Sequence, residues 1–103
     1  MSKNKEFSNT SAQRYSLALY ELSNEENSLE TIENNSLTIL KLISSCKDFN
    51  KFIKDPTGNQ KDLILVMNKI SDNFKIDKLF NRFLIFLIKK RRFFYLEKIL
   101  KNF

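Results

Sequence analysis

A chain of 103 residues with a single glycine and a single proline has few ways to reverse direction tightly. Hairpin turns draw on Gly for positive φ and on Pro for a preset φ, so a sheet of many short strands needs more of both. Pro56 and Gly58 stand two positions apart and mark one turn, not several. What remains is long stretches compatible with helix. The expected fold is therefore all-α, a compact six-helix bundle, with residues 1–103 forming a single helical domain. Ten Phe and an apolar share of 42% supply a core at this size and argue against disorder.

Apolar spacing divides the chain. A first helix is predicted over about 10–23, capped by Thr10 or Ser11, with Tyr15, Ala18, Leu19 and Leu22 on an i, i+3, i+4, i+7 stripe. Leu17 and Tyr20 lie off that stripe and give the helix a second, weaker apolar face. The polar stretch 23–27 ends it, and its acids are expected in the first turn of a second helix over about 27–45. Leu29, Ile32, Ile39, Leu40 and Ile43 form that helix's seam. A short helix over about 47–54 brings Phe49, Phe52 and Ile53, and stops at Lys54-Asp55-Pro56 because proline disfavours helical geometry in the preceding residue. After Gly58-Asn59 a fourth helix, about 59–72, turns Leu63, Ile64, Met67 and Ile70 inward. Asp72 or Asp77 can cap a fifth over about 77–90, and a sixth over about 91–102 carries Leu96, Ile99 and Leu100.

The fifth helix departs from the usual pattern. Phe83-Leu84-Ile85-Phe86-Leu87-Ile88 advances about 100° per residue, so six apolar residues leave no polar side. Such a helix is either central to the bundle, or one of its faces, Phe83 and Phe86, receives an amphipathic helix from a partner. In the second case the weaker apolar face of the first helix is the expected neighbour.

Catalytic chemistry finds little to work with. There is no His, which removes the commonest general base and the commonest metal ligand, and Cys46 is the sole cysteine. One glycine cannot build a glycine-rich phosphate loop. No catalytic residue, metal or cofactor is expected. The N-terminus lacks the apolar core of a secretory signal, and six-residue apolar runs fall well short of the roughly 20 residues that span a bilayer, so a soluble protein is expected.

Charge is unevenly placed. Residues 1–46 hold four cations and six anions, net −2, whereas residues 47–103 hold fourteen and six, net +8. Lys89-Lys90-Arg91-Arg92 runs straight into Phe93-Phe94-Tyr95. Cations beside aromatics are compatible with a small basic helical nucleic-acid-binding domain, or with a helix lying on a membrane surface. Against both, Phe93, Leu96 and Leu100 share one helical face, which suits a packed core.

Three stretches carry a family resemblance. Ala12-Gln13-Arg14-Tyr15-Ser16-Leu17-Ala18-Leu19-Tyr20-Glu21-Leu22 matches an opening A-x-R-Y-x-x-A-L-[FY]-x-L pattern. Phe52-Ile53-Lys54-Asp55-Pro56 matches F-[IL]-x-[ND]-P, followed by the basic Lys61, and Arg82 through Phe93 with Leu96, Ile99 and Phe103 is similar to the closing pattern. Together they resemble the N-terminal domain of the delta subunit of bacterial F-type ATP synthase, whose mitochondrial counterpart is the oligomycin-sensitivity-conferring protein. Ile88, Lys89 and Lys90 depart from the family's usual acidic or small residue and Asn before the arginine pair.

The resemblance implies a non-catalytic stator connector on the cytoplasmic side of the bacterial inner membrane, which helps couple proton flow to ATP synthesis. It implies that an apolar groove between the first and fifth helices holds the N-terminal helix of an alpha subunit. The residues this maps onto are Tyr15, Ala18, Leu19 and Leu22 with Phe83, Phe86, Leu87 and, at the rim, Lys90. The family's C-terminal domain, which meets the b subunits of the peripheral stalk, is expected to be missing because the chain stops at Phe103, so contact with b does not follow from these residues.

Overall fold

The computed structural model describes residues 3–55 and 58–103, with side chains from residue 11 onward. It contains α1 (Lys3–Glu25), α2 (Leu29–Ser45), α3 (Lys47–Lys54), α4 (Gln60–Phe74) and α5 (Lys78–Lys89). A 3-10 turn, Phe93–Tyr95, then runs into α6 (Leu96–Asn102). Six α-helices and no strand among the described residues make an all-α bundle, as expected.

Local signals explain most boundaries. Asn59 caps α4 by accepting from the Lys61 N–H at 2.8 Å, and Asp77 caps α5 by accepting from the Leu79 N–H at 2.8 Å. Of the two caps foreseen for α5 it is Asp77 that serves. α3 ends at Lys54 with Asp55 in extended backbone; Pro56, invoked as the stop, lies outside the described residues.

The scarcity of glycine shows at the helix ends. Asn27, Lys75 and Arg91 each adopt a left-handed φ of 53° to 59° where a chain richer in glycine would use Gly. The N–H of the following residue then donates five residues back, Ser28 to Ser23, Ile76 to Ser71 and Arg92 to Leu87, each at 2.9 Å. Ending helices on non-glycine residues in this way costs about 1–2 kcal/mol each in local strain.

Two expectations about α1 are corrected. It begins at Lys3, not at Thr10 or Ser11, because residues 3–10 contain no helix breaker and a polar helix leaves no apolar stripe to read. It also runs through Ser23 to Glu25, so Glu25 and Glu26 sit at the C-terminal end of α1, and Glu30 is the acid in the first turn of α2.

Ala12, Leu19, Ile32, Ile39, Ile43, Met67, Phe80, Leu84, Leu87, Ile88, Leu96, Ile99 and Leu100 lie in one continuous buried cluster, completed by residues of α3 and the 3-10 turn. α1 packs most extensively on α6, and α5 on α4. On the α4–α5 side, Ser71 donates to Asn81 Oδ1 at 2.7 Å and Asn81 in turn donates to Asn68 Oδ1 at 3.0 Å. Because α1 and α5 spend their buried faces on different neighbours, the strip between them is not closed by either.

Candidate functional site

That strip is an apolar trough of about 340 Å³, lined by Ala18 and Leu22 of α1 and by Leu79, Arg82, Phe83 and Phe86 of α5. Leu79, Phe83 and Phe86 recur at i, i+4, i+7 and so form one wall. Phe86 stacks at 6.5 Å from Phe83 and meets Tyr15 edge-on at 6.2 Å. Tyr15 beside Phe86 at one end, with Leu22 and Leu79 at the other, makes α1 and α5 antiparallel. Lys90 Nζ stands 5.8 Å from the Phe86 ring centre, a cation–π contact that closes the Tyr15 end.

The long apolar run of α5 is thus mostly central, with Leu84, Leu87 and Ile88 in the core and Ile85 half-buried, and it is most open at Phe86, which borders the trough. Phe86 keeps 44% of its surface exposed and Leu22 41%, whereas Phe83 keeps 5% and forms the floor. An exposed Phe on one wall and an exposed Leu on the other mark a place where another apolar surface fits.

The residues foreseen for the site divide into two groups. Tyr15, Ala18, Leu22, Phe83, Phe86 and Lys90 line or border the trough. Leu19 and Leu87 have no exposed surface; they lie beneath it in the core and have nothing to offer an incoming side chain. The reason is angular: Leu19 continues the Ala12–Ser16–Ser23 side of α1, about 100° from Ala18. The weaker face of Leu17 and Tyr20 is not the neighbour of α5, contrary to expectation. Tyr20 turns toward α6, with its ring 6.4 Å from that of Phe103, and borders a second depression with Leu37 and Leu40 of α2.

Leu79 and Arg82 escaped the sequence reading. The signal was present, since Leu79 sits four residues before Phe83 on the same stripe, but attention to the unbroken run 83–88 hides it.

Elsewhere, a cleft of about 430 Å³ lies between the start of α4 and the end of α5, bordered by Asn59, Gln60, Arg91 and Phe94. It adjoins positions outside the described residues and mixes polar and apolar borders without a stripe. The basic run offers less than its composition suggests. Phe93 is buried and Arg92 half-buried, which leaves Phe94 and Tyr95, their rings tilted against each other at 4.2 Å, as the aromatics beside Lys89, Lys90 and Arg91. No helix among the described residues is long and apolar enough to cross a membrane.

Comparison with known proteins gives the family. The family model described as ATP synthase delta (OSCP) subunit matches residues 12–103, nearly the whole chain. The chain belongs to that family. It is 57% identical over 103 residues to the ATP synthase subunit delta of Pelagibacter ubique, covering all of this chain and 56% of that protein. It is 33% identical over 92 residues to the subunit of the same name from Clostridium botulinum strain Loch Maree, covering 86% of this chain and 49% of that one. The chain therefore spans about half the length of the curated relatives it matches. No solved structure matches it.

Proposed function

We propose that the chain is a stator connector of F-type ATP synthase, with the trough between α1 and α5 holding the N-terminal helix of an alpha subunit. The observation that carries this reading is the exposed Phe86, set between Tyr15 and Phe83 in a groove that Ala18, Leu22, Leu79 and Phe83 make largely apolar. A connector that keeps the catalytic head from turning with the rotor needs slow dissociation, and buried aromatic anchors give that better than surface charge does. In this reading the subunit helps couple proton flow to ATP synthesis. It would sit at the periphery of the cytoplasmic face of a bacterial inner membrane, with residues 1–103 acting as a single helical domain.

The test is a titration of the chain with a peptide of the alpha-subunit N-terminus at low and high salt, repeated with Phe86→Asp. Binding that survives high salt and vanishes in Phe86→Asp, with helical circular dichroism unchanged, is the expected outcome. An undiminished affinity in Phe86→Asp rules the trough out. Steep loss of binding with salt, together with binding of duplex DNA, would favour the basic surface instead.

A further inference from the structure

We propose that the trough is electrostatically polar and accepts its helix in one direction, with the acidic end at Tyr15 and Phe86 and the basic end at Leu22 and Leu79. This rests on reading the trough as a helix site, and adds which helices fit and how they lie.

The two rims carry charge in opposite senses along their length. On α1, at about 100° per residue, Arg14, Glu21 and Glu25 fall on the solvent side of the Tyr15–Ala18–Leu22 stripe. Arg14 stands at the Tyr15 end, and Glu21 and Glu25 at the Leu22 end. On α5, Lys89 and Lys90 stand at the Phe86 end. At the other end Arg82 and Lys78 share a hollow with Glu26 and Asp77, so those cations lie among carboxylates. One mouth of the trough is therefore bordered by Arg14, Lys89 and Lys90 with no acid beside them among the residues whose side chains are described, and the other by four acids and two cations. Among the described residues Arg14, Lys89 and Lys90 pair with no carboxylate, whereas Glu97 takes Lys54 at 3.5 Å and Lys101 at 3.4 Å. The charges at the Tyr15 mouth are all exposed and remain available to a partner.

An amphipathic helix with an apolar stripe fits the floor in either direction, because Ala18, Leu22, Leu79, Phe83 and Phe86 do not distinguish its ends. Charge does. Helices favour acids in their first turn and bases in their last, where each offsets the macrodipole. A helix so built meets the Arg14–Lys89–Lys90 mouth with its N-terminal turn and Glu21 and Glu25 with its last. It then runs parallel to α1 and antiparallel to α5. A helix with the reverse charge order sets like charges against each other at both mouths.

Two synthetic peptides with one shared apolar stripe test this. One carries Glu in its first two turns and Lys in its last two; the other has these exchanged. Each bears a nitroxide at its N-terminus. The acid-first peptide is expected to bind about tenfold more tightly at low salt, with the difference shrinking at high salt. Its nitroxide should broaden NMR signals of Tyr15 and Phe86 more strongly than those of Leu22 and Leu79, about 10 Å farther along the trough, and moving the label to the peptide's C-terminus should invert that order. Reversing the rims with Arg14→Glu, Lys89→Glu, Lys90→Glu, Glu21→Lys and Glu25→Lys should transfer the preference to the other peptide, which separates rim charge from the peptides' own helicity. Equal affinities, with Phe86→Asp abolishing both, would leave the trough as a helix site and overturn its direction. A preference that persists in the reversed chain overturns the direction as well. Failure of both peptides and of the alpha-subunit peptide overturns the two readings together.

Discussion

Toward the core, where α6 is its main neighbour, α1 presents Ala12, Ser16, Leu19 and Ser23; toward α5 it presents Tyr15, Ala18 and Leu22. The first set is dominated by small residues, and the helices come close enough for the Ser16 hydroxyl to donate to the Ile99 carbonyl. The second set includes two large residues facing Phe83 and Phe86, and the gap between the walls stays open. Small side chains let backbones approach until nothing else fits. Large ones on both walls hold the backbones apart and leave their own flanks uncovered. One helix thus builds a sealed seam and an open groove from residues one position apart.

The strongest way to break this contrast is to truncate the buried side. Leu19→Ala should cost about 2–5 kcal/mol of stability by chemical denaturation, because Leu19 is fully buried and its neighbours relax only in part. Leu22→Ala, three residues on but 41% exposed, should cost less than about 1 kcal/mol. Equal losses would mean that the two sides are not distinct. On the open side, Tyr15→Ala should weaken binding of the alpha-subunit peptide by about 1–3 kcal/mol, since Tyr15 meets Phe86 edge-on. An unchanged affinity in the titration would remove Tyr15 from the site. The smallest effect is expected at the seam's hydrogen bond: Ser16→Ala should lower stability by about 0.5–1.5 kcal/mol and leave peptide affinity alone. A change in affinity there would show that the seam and the groove are coupled.

The helical class and most segment limits were legible because they rest on local chemistry. α3 was read at its observed bounds, and Asp77 serves as a cap from its own side chain. The start of α1 was not legible, since residues 3–10 are helical without an apolar stripe and periodicity reports only burial. Of the candidate site, Tyr15, Ala18, Leu22, Phe83, Phe86 and Lys90 could be named in advance, and Leu79 could have been found from its spacing. Leu19 and Leu87 could not be sorted from them by pattern alone.

By itself the sequence determined an all-α chain, through its near-absence of turn residues, and a surplus of apolar surface on the fifth helix. It also determined that the cations at 89–92 abut that helix's end. Only the tertiary structure decided which part of each apolar stripe is covered. An apolar stripe spans 100° or more of a helix, wider than one packing partner covers, so Leu19 and Ala18 belong to the same pattern but not to the same surface. Where α6 lies against α1, and α4 against α5, is set by packing between segments far apart in the chain. That placement leaves Phe86 exposed in the trough and Lys89 and Lys90 at its mouth.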